Sequence, residues 1–153
     1  MTGELVVRDV AQSDFEQWLP LWTGYNAFYG RSGPTALPIE ITRVTWGRFF
    51  DAAEPVHALV AEEDGRLLGL THYLYHRSMI AIGPSCYLSD LFTSEAARGK
   101  GVGRALIEGV CVKARAAGAP RVYWLTHETN ATARLLYDRI AERSGHIHYS
   151  KTL

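Results

Sequence analysis

Arg98-Gly99-Lys100-Gly101-Val102-Gly103-Arg104 joins two stretches of different periodicity. Upstream, Cys86-Tyr87-Leu88-Ser89-Asp90-Leu91-Phe92-Thr93 has the apolar and aromatic content of a β-strand. Downstream, Val102, Leu106, Val110 and Ala114 recur at helical spacing until Gly118 and Pro120 stop the run. A glycine-rich turn that opens a helix presents unpaired backbone N–H groups at the positive end of the helix dipole. Such a turn suits an anion, phosphate above all. Arg98, Lys100 and Arg104 crowd the same turn and reinforce that reading.

Spacing removes the two commonest phosphate motifs. A P-loop needs Ser or Thr after its lysine, and Lys100 is followed by Gly101. A dinucleotide fingerprint begun at Gly101 would need a glycine where Leu106 stands. The next strand, Arg121-Val122-Tyr123-Trp124-Leu125-Thr126, also ends without an acidic residue for a ribose. What remains is Arg-x-x-Gly-x-Gly, carried by Arg98, Gly101 and Gly103. It resembles the pyrophosphate-binding motif of the GNAT superfamily of acetyl-CoA-dependent N-acetyltransferases.

A second motif lies in the matching order downstream, Asn130-Ala131-Thr132-Ala133-Arg134-Leu135-Leu136-Tyr137. It resembles the helix that follows the fifth strand in these enzymes. The resemblance covers residues 86 to 137 well and the N-terminal half only in its pattern of elements. It implies acetyl-CoA as co-substrate, held by Leu91, Phe92 and Thr93, by the turn Arg98, Gly99, Lys100, Gly101, Val102, Gly103 and Arg104, and by Asn130, Ala133 and Tyr137. It implies backbone N–H groups near Leu91, Phe92 and Thr93 that align the thioester, on a fourth strand splayed from the fifth. Tyr137 would face the sulfur as general acid, since a phenol with pKa near ~10 stays protonated at neutral pH. Tyr137 as core filling and Asn130 as a helix N-cap are the structural alternatives.

Tyr87-Leu88-Ser89-Asp90-Leu91-Phe92 resembles the Tyr-Leu-Glu-Asp strand of the spermidine/spermine, thialysine and fungal histone/polyamine acetyltransferases. Their glutamate helps deprotonate the amine through water. Ser89 stands at that position and cannot take up a proton. Asp90 keeps its family position, but strand alternation points it to the face opposite Ser89. Glu128, His127, His72 and Tyr73 are the other candidate bases, and a water chain to solvent is a further route.

Composition narrows the function classes. The chain has 153 residues, the size of one domain, and residues 1–153 are expected to form a single unit. Hydrophobic content is 47% and charged content 21%, ordinary for a globular protein. With 16 basic and 16 acidic residues, no net field favours nucleic acid, and no recognition motif for it is present. No apolar run approaches the ~20 residues of a membrane span. Met1-Thr2-Gly3-Glu4 lacks the features of a signal peptide, so a cytoplasmic location is expected. Cys86 and Cys111 form neither a disulfide framework nor a metal motif and read as buried thiols; no metal is expected.

The coarse pattern gives a strand β1 at Glu4–Arg8 and a helix α1 capped by Ser13 and running to about Phe28. Phe15, Trp18, Leu19 and Trp22 form its apolar face, and Pro20 is expected to kink or break it. A loop from Gly30 to Pro38 leads to α2, about Ile41–Ala52. Strands β2 (His57–Glu62) and β3 (Arg66–His76) flank an Asp64-Gly65 turn. Then come β4 from Cys86, α3 from Val102, β5 from Arg121, α4 from Asn130 to about Arg143, and β6 at His146–Lys151. The order β1-α1-α2-β2-β3-β4-α3-β5-α4-β6 predicts an α/β fold with a mixed sheet and helices on both faces. That is the GNAT order.

The expected activity is transfer of an acetyl group to a primary amine by direct attack in a ternary complex, where proximity does most of the work. A small amine or amino acid is the first expectation and a protein lysine or N-terminus the second. Glu40, Asp51 and Glu54 form no acidic cluster of the kind a polyamine demands. Tyr25, Phe28 and Tyr29, in an aromatic stretch before the Gly30 loop, are candidates for a wall over the acceptor or for core. Ser89 and Asp90 complete that candidate pocket. A non-catalytic CoA-binding regulatory module is the competing reading. The C-terminal strand is free to pair or exchange in a homodimer.

Overall fold

Asp64 and Gly65 both have positive φ, 52° and 78°, the geometry of a two-residue hairpin turn that matches strand twist. They join β2 (Val56–Glu63) to β3 (Arg66–His76), the centre of a five-stranded sheet. The computed structural model describes residues 3–153; Met1 and Thr2 lie outside the described residues. The sheet order is β1-β2-β3-β4-β5, with β1 (Val6–Asp9) antiparallel to β2 and β4 (Ser85–Thr93) antiparallel to β3. Only β5 (Val122–Tyr123) lies parallel, beside β4.

The two faces of the sheet are covered by different helices, and alternation along β2 shows the division. Val60 joins Trp18, Leu21 and Trp22 of α1 (Phe15–Phe28), while Leu59 and Ala61 join Leu106, Ile107 and Val110 of α3 (Val102–Ala116). On the first face, α2 (Ile39–Arg48) adds Trp46, and Trp22 Nε1 donates to Thr42 Oγ1 at 3.2 Å. The last helix, α4 (Ala131–Ile140), packs Leu136, Tyr137 and Ile140 against the second cluster. Gly69 allows α3 to approach β3 closely. A Cβ there would stand 2.8 Å from the Phe92 carbonyl oxygen and 2.9 Å from Val102 Cγ1.

The mixed sheet with helices on both faces is therefore the predicted fold, but β5 stops at Tyr123 rather than Thr126, α4 stops at Ile140 rather than about Arg143, and further differences follow. Ser13 does not cap α1; the chain makes a 3-10 turn at Gln12–Asp14, and buried Asp14 accepts from Ala11 N–H and from both terminal nitrogens of Arg8. Pro20 does not break α1, because the neighbouring Trp18, Leu21 and Trp22 are buried against the sheet while Pro20 itself faces solvent. The second helix ends at Arg48, short of Ala52. The predicted β6 is not formed: residues 146–151 lie outside any strand, after Gly145 turns the chain at φ 84°. Ile147, His148 and Tyr149 have strand-forming content, but β5 ends at Tyr123 and offers almost no edge to pair with.

Candidate active site

The early end of β5 opens the sheet. Cys86 pairs with Val122 and Tyr87 with Tyr123, and beyond them β4 runs on through Leu88–Thr93 with β3 on one side only. The other edge of β4 thus carries unpaired backbone groups into a wedge, as the splayed strands of the sequence reading required. Leu91, Phe92 and Thr93 lie along that free stretch, half-buried.

The glycine turn stands at the mouth of this wedge. Gly99 and Gly101 adopt φ 81° and 79°, a left-handed backbone that side chains other than glycine take at a cost. Gly101 is the N-cap of α3, with no side chain capping the helix and no acidic residue in its first turn. Ala105 N–H donates back to the Gly101 carbonyl, so the N–H groups before it remain available. Val102 is buried and anchors the turn to the core. Gly99 and Lys100 are exposed. The predicted basic cluster divides: Arg98 lies over the Phe92 ring, 5.8 Å from its centroid, whereas Arg104 pairs with Glu108 at 3.1 Å on the outer face of α3.

On the far side, α4 begins at Asn130. Its side chain makes no cap; Nδ2 donates to Thr126 Oγ1 at 3.2 Å, tying the helix start to the end of the preceding segment. Ala133 and Tyr137 are one turn apart on one face. The Tyr137 ring meets Trp124 edge-on, with centroids 5.4 Å apart. Burial and the nearby Tyr29 push its hydroxyl up to about 12.

The acceptor side turns on a bulge in β4. His72 pairs with Asp90 but Tyr73 pairs with Leu88, leaving Ser89 as the extra residue. Strict alternation therefore fails, and the expectation that Ser89 and Asp90 face opposite ways is corrected. Ser89 Oγ donates to Asp90 Oδ2 at 2.9 Å. The same carboxylate oxygen lies 2.9 Å from His72 Nδ1, and Trp18 Nε1 lies 3.2 Å from His72 Nε2. Indole N–H can only donate, so Nε2 must accept and the imidazole proton sits on Nδ1, facing Asp90. Burial raises the Asp90 pKa, but hydrogen bonds from His72 and Ser89, with the nearby Tyr25 hydroxyl, outweigh it and hold the carboxyl below its ordinary value.

Tyr25 stacks on Trp22 at 5.2 Å, and Tyr29 lies 5.0 Å from Tyr25. Phe28 and Tyr29 are 57% and 43% exposed, so neither is core. Burial and then Asp90 raise the Tyr25 and Tyr29 hydroxyls.

Other sequence candidates fall elsewhere. Tyr73 points into the α3 face beside His57 and Tyr75, away from Asp90. His127 bonds Thr129 within an exposed turn, and Glu128 offers its carbonyl to Arg134. His72 has both nitrogens engaged, leaving no lone pair for a substrate. Cys86 is buried, which pushes its thiol up to about 11. Sequence reasoning missed Arg31, on the loop after α1, and the pairing of Tyr87 with Tyr123, stacked at 5.0 Å. A loop residue carries no periodic signal, and β4–β5 adjacency is a tertiary fact. A cavity of about 620 Å³ lies between α3, β5 and α4, lined by Ile107, Cys111, Trp124 and Ile140 among others.

Residues 16–141 match the acetyltransferase (GNAT) family. A D-amino-acid N-acetyltransferase of Saccharomyces cerevisiae is 36% identical over 99% of this chain and 92% of its own length. An uncharacterized N-acetyltransferase of Bacillus subtilis is 29% identical, covering 94% of each chain. Among solved structures, a ribosomal-protein-alanine N-acetyltransferase of Brucella melitensis superposes with a TM-score of 0.79 at 19% identity, over 97% of this chain and 99% of that one.

Proposed function

Because the chain belongs to the GNAT family of N-acetyltransferases, we propose that it transfers the acetyl group of acetyl-CoA directly to the primary amine of an amino acid or another small amine, as one domain spanning residues 1–153. Acetyl-CoA supplies an activated acyl thioester. The residues present fit it: the left-handed Gly99 and Gly101 and the uncapped start of α3 suit a pyrophosphate, and the free edge of β4 suits pantetheine amides. Asn130 and Ala133 flank that arm from α4.

The observation that carries the reading is the wedge itself, where β4 runs on past the end of β5. On this reading Asp90, its carboxyl held below the ordinary range, serves the acceptor, and Tyr137, its hydroxyl pushed up to about 12, serves the thioester. Tyr137 keeps its proton across the neutral range and holds it for the departing sulfur. Asp90, held below the ordinary carboxyl range, is too weak a base to deprotonate an amine. It attracts and orients the ammonium form, and the proton leaves to solvent from the mouth of the wedge. Among acceptors, the name of the yeast relative favours an amino acid; a protein lysine or N-terminus ranks second.

Assembly follows the same reading. The described residues contain no helix long and apolar enough to cross a membrane, in keeping with action in the cytoplasm. Ile147 and Tyr149 lie 75% and 85% exposed on the C-terminal stretch, and the cavity between α3, β5 and α4 has Ile107, Trp124 and Ile140 in its lining. Exchange of that stretch in a homodimer would cover both; light scattering on the intact chain should give twice the monomer mass.

The deciding assay is thiol release from acetyl-CoA with amines, amino acids and peptides. Turnover with small acceptors is expected. Tight CoA binding with no transfer across the set would leave a regulatory module instead.

A further inference from the structure

Arg31 is a cation with an unusual setting. Its Nε donates to Asn26 Oδ1 at 2.6 Å, and its backbone N–H donates to the Asn26 carbonyl at 2.9 Å. Asn26 is itself buried, at 4% exposure, and its Nδ2 donates to the Trp22 carbonyl at 2.9 Å. The guanidinium carbon then stands 5.9 Å from the Tyr25 centroid and 5.7 Å from that of Tyr29. None of the ion pairs among the described residues includes Arg31. A guanidinium fixed through Nε and stacked on rings keeps its two terminal nitrogens in a planar fork, a shape that matches a carboxylate bidentately.

The same two tyrosines also feel Asp90. The hydroxyls of Tyr25 and Tyr29 are raised by Asp90 and lowered by Arg31, so both charges lie close to that pair of phenols. The two rings thus neighbour both a carboxylate backed by His72 and Trp18 and a guanidinium that enters none of the ion pairs among the described residues. A zwitterion presents the complementary pair of charges. A simple amine, a polyamine or a lysine side chain within a peptide brings no carboxylate next to its amino group.

We propose that Arg31 is the specificity-determining residue of this site, binding the α-carboxylate of a free amino acid whose amino group faces Asp90. The inference rests on the acetyltransferase reading above and names its substrate class. No bond beyond the amide of that reaction is made or broken by Arg31; it binds and orients. Its removal therefore acts on KM for substrates that carry the carboxylate.

The test compares leucine, methionine and phenylalanine, each in both enantiomers, with their α-amides and their decarboxylated amines, under saturating acetyl-CoA. The amide's amine is the less basic of the acid–amide pair, so ease of deprotonation alone would favour the amide. The intact protein should instead prefer the best amino acid over its amide by roughly 10- to 100-fold in kcat/KM, the range of a charge-assisted pair of hydrogen bonds. Arg31→Gln should collapse that ratio toward one by raising KM for the acid, and Arg31→Lys should restore part of it. Activity on the amide doubles as the check that the variant is folded. Equal use of acid, amide and amine by the intact protein would overturn the Arg31 assignment alone, as would a ratio unmoved by Arg31→Gln. Absence of transfer to any acceptor would overturn the acetyltransferase reading and this assignment with it.

Discussion

The glycine turn before α3 and the Tyr25–Tyr29 cluster at the end of α1 are built in different ways. On the proposed reading the turn recognises with backbone: two left-handed glycines and the bare N–H groups of a helix start. The acceptor side, on the same reading, recognises with side chains drawn from α1, its following loop, β3 and β4. Backbone recognition constrains local sequence, because only glycine takes positive φ freely. Side-chain recognition constrains only the fold that gathers the residues. The two halves should then respond to different kinds of substitution.

The largest effect is expected at the turn. Gly101→Glu places a side chain at φ 79°, which costs about 1–2 kcal/mol in a left-handed backbone, and adds a carboxylate where an anion is to bind. Calorimetry should show affinity for CoA falling roughly 100-fold or more. Undiminished binding would break the backbone account of this half outright.

Next comes the junction of the two halves. Tyr137→Phe removes one oxygen from a ring that keeps its contact with Trp124, so folding and CoA binding should persist. Steady-state kcat should fall roughly 100-fold, within the usual span for a lost general acid. Because burial sets the hydroxyl up to about 12, no alkaline limb below about pH 11 should come from this residue.

A smaller loss is expected in the pocket. Asp90→Asn keeps a partner for the His72 and Ser89 donors but removes the charge that attracts an ammonium. KM for the amine should rise roughly 10-fold, with kcat little altered. The pH dependence separates the roles. Asp90 has a depressed folded pKa, so its contribution to stability is complete above the unfolded value near ~3.9 and is lost as pH falls through the folded one. It is therefore ionised throughout the neutral range, and any acid limb of kcat/KM there belongs to protonation of the substrate amine. Two acceptors of different basicity should shift that limb by the difference in their own pKa values. A limb fixed for both would assign proton removal to a protein group.

This contrast also explains what could be read before the structure. Arg98, Gly101 and Gly103, followed by Asn130 to Tyr137, lie in two short local runs, and the hairpin, the helix over 102–116 and the covered sheet follow from periodicity and turn chemistry. The Ser89 bulge, by contrast, is set by how β3 and β4 register, and the run carries no glycine to mark it. His72 looks like any strand histidine until Trp18, 54 residues earlier in the chain, closes over its second nitrogen. The C-terminal strand failed for a related reason: propensity supplied the residues, but pairing needs an edge that β5 does not extend far enough to give.

The smallest effect sharpens the comparison most. Arg104 and Glu108 are 58% and 66% exposed, an i,i+4 pair worth about 0.3–0.5 kcal/mol at most. Arg104 also sits in the first turn of α3, where a cation opposes the helix dipole. Arg104→Ala should change CoA affinity less than about threefold, and the change should shrink further as salt shortens the reach of an exposed charge. Arg98, held over Phe92 at the wedge, should matter more, by roughly fivefold on substitution with Ala. If instead both arginine variants lost as much affinity as Gly101→Glu, and high salt abolished binding to the intact protein, the turn would be recognising through its charges. The division between a backbone half and a side-chain half would then be wrong.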